Sequence, residues 1–63
     1  MKFNIKAIRQ QCNMSQKELS RKSGVPRATI CGMETGRTED VTTKTLQALS
    51  EALGVPVPDL FLP

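Results

Sequence analysis

The sequence predicts an all-α fold of five short helices, and three observations carry that expectation. Apolar residues recur at i, i+3 and i+7 in two separated stretches, Ile5-Ile8-Cys12 and Leu46-Leu49-Leu53, which is the spacing of one helix face. Residues that start and stop helices stand between the candidate segments. No stretch alternates with period two, so no segment reads as a strand.

The first helix is expected from about Phe3 to Cys12, ending at Asn13, a residue that tolerates the left-handed conformation of a helix C-terminus. Ser15 with Glu18 three positions on is a capping-box pattern and opens a second helix, about Gln16 to Ser23, which Gly24 follows. Pro26 opens the third, where its missing amide costs nothing, and this helix runs to about Thr35 with Gly36 as its stop. "RTEDVTT" is a polar loop, after which Thr42 or Thr43 caps the fourth helix, "KTLQALSEAL", ended by Gly54. Pro56 and Pro58 bracket a last short turn, with Leu60 and Phe61 tucked inward.

Residues 1–63 make one small domain, a size that hides only about 60% of its unfolded surface and needs an economical core. With two cysteines and no histidine, the chain has neither a four-ligand zinc site nor a disulfide scaffold, and no metal or cofactor is expected. Two free thiols, a polar N-terminus and no apolar run near ~18 residues point to a soluble cytoplasmic protein that does not engage a membrane. The charge is uneven. Residues 1–37 carry eight basic and two acidic side chains, +6, whereas residues 38–63 carry one basic and four acidic, −3. One half thus suits a polyanion and the other faces elsewhere.

The second and third helices, spanning 16–35, are joined by a tight turn at Gly24, with Leu19, Val25, Ile30 and Met33 inward and Ser20 small at the crossing. This is a helix-turn-helix arrangement, whose second helix enters the DNA major groove. In "RATICGM", Ile30 and Met33 form the core face, and Arg27, Ala28, Cys31 and Gly32 the opposite one. Arg27, in the first turn, is the strongest base-reading candidate, since a guanidinium bonds bidentately to guanine. Ala28 and Cys31 suit apolar contact with a thymine methyl, and Thr29 suits that or a phosphate. Gly32 either lets the helix approach DNA closely or marks a position that goes unused.

"MSQKELSRKSGVPRATICGMETGR" with "TLQALSEALGVPVPDLF" resembles the Cro/repressor-type helix-turn-helix (XRE) family of bacterial and phage regulators. The matching elements are Ser15-Gln16, Glu18-Leu19, Gly24-Val25, Thr29-Ile30, Glu34, Gly36 and the leucine run ending at Val55. The resemblance implies a compact five-helix, lambda-repressor-like domain that binds double-stranded operator DNA, commonly as a homodimer on a palindrome. It also implies that Gln16 braces the DNA backbone and the reading side chains, and that Arg9 and Glu34 form a structural ion pair. Gly32 departs from the family, which commonly places a long polar side chain there, so specificity does not carry over. Ser15, Gln16, Thr29, Thr35, Arg37, Thr38, Thr43 and Lys44 are the candidates for backbone contact and positioning, since helix N-terminal amides beside a lysine clamp phosphate.

The expectation is therefore a small transcriptional regulator, a repressor by preference, with no small-molecule ligand evident. No enzyme is expected, because histidine, a phosphate-binding glycine loop and a convergent carboxylate pair are all missing. Two rivals are an antitoxin that represses its own operon and a protein-interaction module without DNA. The length argues mildly against the first, and the basic N-terminal half against the second. Val55, Val57, Leu60 and Leu62 are the expected dimer surface.

Overall fold

A computed structural model describes residues 3–38 and 40–62. Four α-helices follow one another: α1 (Ile5–Gln11), α2 (Gln16–Ser23), α3 (Arg27–Thr35) and α4 (Thr43–Leu53). The fifth expected helix is only a four-residue 3-10 turn, Val57–Leu60. Phe61 turns extended and pairs with Phe3, which ends the turn before an α-helical ladder can form.

Local chemistry sets the boundaries. Ser15 accepts from the Glu18 amide (3.0 Å), and the Glu18 carboxylate accepts from the Ser15 amide (3.4 Å), completing the capping box of α2. Thr42 rather than Thr43 caps α4, accepting from the Thr45 amide at 3.1 Å. Pro26 sits one position earlier than expected, as the N-cap of α3 with Arg27 the first helical residue. Asn13 holds φ 54° after α1, and Gly24 holds φ 77° in the turn between α2 and α3, where a side chain would be strained.

α1 begins at Ile5, not Phe3, because Phe3 is engaged elsewhere. It forms an antiparallel bridge with Phe61, their rings 5.4 Å apart, and the Asn4 amide donates to Leu60 O at 2.7 Å. The two ends of the described chain thus close on each other. Ile5, Leu19, Ile30, Met33, Leu49 and Leu60 are fully buried, so every helix and the final turn contributes to one core. Each such side chain contributes about 1.5–3 kcal/mol through burial.

Two expected assignments fail. Cys12, expected on the apolar stripe of α1, is exposed beyond the helix end, with its thiol 3.8 Å from Leu53 O. Met14 from the following turn fills the core in its place. Leu60 is wholly buried, as the inward reading of the closing turn expected, so its place on the expected dimer surface fails. Among the described residues, no helix is long and apolar enough to cross a membrane.

Candidate nucleic-acid interface

α3 lies against α2 across the Gly24 turn, and Ser20 makes the crossing tight by donating to Val25 O at 2.6 Å. With Ile30 and Met33 committed to the core, the exposed residues of α3 are Arg27, Ala28, Cys31 and Thr35. Their spacing, i, i+1, i+4 and i+8, is a single stripe along the helix. Thr29 is half-buried at its margin. Thr35 donates its hydroxyl to Cys31 O at 2.9 Å, a bond back into its own helix.

Gly32 does not belong to that stripe. It is buried, because the chain after α3 folds back so that the Thr38 amide donates to Gly32 O at 3.0 Å. A Cβ at position 32 would overlap Thr38 Oγ1 and lie 3.1 Å from Thr38 Cβ. The structure gives this glycine a role that neither expectation named. It makes room for the loop, and helix periodicity alone could not reveal that neighbour.

A chain of polar contacts joins the core to the exposed stripe. Arg9 on α1 donates from Nε to Glu34 Oε2 (2.9 Å) and from Nη2 to Glu34 Oε1 (3.2 Å), while its Nη1 donates to Met14 O (2.8 Å). Gln16 Nε2 donates to Glu34 Oε1 at 3.0 Å, and Gln16 Oε1 accepts a long 3.4 Å contact from Arg27 Nε. The ion pair is largely shielded, with 12% and 4% of the Arg9 and Glu34 side chains exposed. Burial pushes the Glu34 carboxyl up, but hydrogen bonds from Arg9 and Gln16, with the charges of Arg9 and Lys6, outweigh it and hold it below the usual carboxylate range. The Glu34 hydrogen bond pushes Arg9 up, against burial. Glu34 is thus a fixed anion that orients Gln16, and Gln16 tethers Arg27 by its Nε; among the described residues the Nη nitrogens of Arg27 make no hydrogen bond.

The remaining candidates surround this stripe. Ser15 is exposed but its hydroxyl serves as a cap, so it is a structural residue first. Arg37 is exposed just past α3, and Thr38 is half-buried against Gly32. Thr43 and Lys44 are exposed at the N-terminus of α4. Lys44 and Thr45 line a small cleft with Ser23, Gly24, Val25 and Pro26, so the start of α4 adjoins the start of α3. The Gln16–Arg27 contact brings the start of α2 to the same place. The starts of α2 and α4 thus each adjoin the start of α3. Sequence reading missed Met14, whose carbonyl holds Arg9, because that role belongs to a backbone atom and leaves no residue-type signal.

A family model described as helix-turn-helix matches residues 5–60 of the chain, which spans all four helices and the final turn. No curated protein matches it.

Proposed function

The chain belongs to the Cro/repressor-type (XRE) helix-turn-helix family of DNA-binding transcription regulators, and on that premise we propose that it is a repressor that reads operator DNA through α3. The single observation that carries this reading is the exposed stripe Arg27-Ala28-Cys31-Thr35, with a tethered arginine at its N-terminal end. Recognition helices present their N-terminal residues to base edges in the major groove. Arg27 then donates to guanine O6 and N7, and Ala28 and Cys31 pack on a thymine methyl. Arg37, Thr43 and Lys44 engage phosphates on either side, Thr29, Thr35 and Thr38 position the reading helix, and Gln16 holds Arg27 rather than serving mainly as a phosphate ligand. The protein acts by occupying its site and performs no chemistry of its own.

One stripe of four residues spans only a few base pairs. The protein is therefore proposed to bind as a homodimer, two α3 helices meeting successive major-groove faces of a palindrome about 34–36 Å apart. The C-terminal segment supplies the dimer surface through Val55, Val57 and Leu62, with Leu60 excluded by its burial. Leu62, 43% exposed, is a large apolar side chain left in solvent.

Selection of bound duplexes from a random library tests this reading. It predicts enrichment of a short motif repeated with two-fold symmetry about one helical turn apart. An enriched motif without symmetry removes the dimer, and failure to retain any duplex at low salt removes DNA binding altogether.

A further inference from the structure

Gly32 and Thr38 fit each other in a way that the DNA-reading stripe does not require. Gly32 lies mid-helix, where glycine is intrinsically unfavourable, and it is buried although it sits beside exposed Ala28 one turn back. The covering group is the loop. The Thr38 amide donates to Gly32 O at 3.0 Å, and Thr38 Oγ1 occupies the space where a Cβ at position 32 would start. Thr38 is β-branched, so two of the three staggered positions on its Cβ carry heavy atoms and rotation offers a new methyl little room. Arg37, exposed, lies between Gly36 in its left-handed conformation (φ 83°) and the docked Thr38. Its backbone is thus held at both ends.

We propose that Gly32 and Thr38 form a steric latch that docks the loop after α3 onto the recognition helix and thereby positions Arg37 for the DNA backbone. The proposal rests on the DNA-binding reading above and adds a positioning pair to it. Two consequences follow. The edge of α3 at residue 32 is closed to bases, so direct reading is confined to Arg27, Ala28 and Cys31 and not extended by a longer side chain at 32. Affinity from Arg37 also depends on a residue that touches no DNA.

The test compares wild type, Gly32→Ala, Thr38→Gly and the double variant on the duplex enriched by selection. Gly32→Ala should weaken binding about tenfold and make the salt dependence shallower by about one phosphate, a change of about 0.9 in slope, with base preference kept. When Thr38→Gly is already present, the same substitution should cost less than twofold. In the free protein, Gly32→Ala should speed hydrogen exchange of the Thr38 amide at least tenfold. An ordinary helix glycine would behave oppositely: its replacement by alanine would raise Tm by roughly 4–8 °C and leave binding and exchange unchanged. That result overturns the latch, as does an equal binding loss in both backgrounds or a shift in base preference. A wild-type protein that binds no duplex overturns the DNA reading and the placement of Arg37 with it, whereas unchanged Thr38 exchange in Gly32→Ala overturns the latch alone.

Discussion

Arg27 and Arg37 carry the same charge and serve different ends. Arg27 stands on the stripe, tethered through Gln16, and Arg37 follows the helix on the loop. Arg27→Ala should therefore flatten preference at one base pair per half-site, a loss of about 1–3 kcal/mol of discrimination, read by binding to single-base operator variants. Unchanged preference at every base would remove its assigned role. Arg37→Ala and Lys44→Ala should each lower the salt slope by about 0.9 and leave the preference order intact. Glu34 makes a prediction in pH. Its carboxyl is held below the usual value of about 4.3, so its stabilisation is complete above that pH and is lost as pH falls through the lower folded value. Glu34→Gln should cost about 1.5–3 kcal/mol at pH 7 and flatten the decline of stability on acidification, measured by urea unfolding from pH 6 to pH 3. Equal slopes for both proteins would show that Glu34 does not carry the acid response. The Arg9–Glu34 pair itself was legible only through family resemblance. The two residues are 25 positions apart, and no local spacing connects them.

At the scale of elements, the sequence speaks most clearly where the physics is local. The α2 capping box, the left-handed Asn13 and Gly24, and the stop at Gly36 each depend on a few adjacent residues, and the helices begin and end there. Ser15→Ala should cost about 1 kcal/mol through the lost cap, visible in thermal unfolding, while leaving base preference unchanged. The wheel of α3 separates Ile30 and Met33 from Arg27, Ala28 and Cys31 correctly, and fails at Gly32. Periodicity assigns a face relative to a helix axis but says nothing of what a following loop folds onto. The fifth helix shortened for a related reason: proline spacing marks a turn, but pairing between Phe61 and Phe3 decides how soon the turn must end.

The whole molecule brings together segments that are distant in sequence. Phe3 and Phe61, its two aromatic residues, close the ends against each other, and α4 runs from the neighbourhood of the reading helix to the Cys12 end of α1. Lys44 and Leu53 are nine positions apart on α4, roughly 14 Å. The two exposed thiols therefore lie on different parts of the surface, Cys31 within the stripe and Cys12 beside Leu53. That arrangement provides an internal control for the central claim that the exposed face of α3 is what DNA covers. The measurement is the alkylation rate of each cysteine, read by mass spectrometry, with and without a saturating amount of the selected duplex. The account predicts that DNA slows modification of Cys31 at least tenfold and leaves Cys12 within twofold of its free rate. Equal protection of both thiols, or protection of Cys12 with Cys31 still reactive, would contradict it.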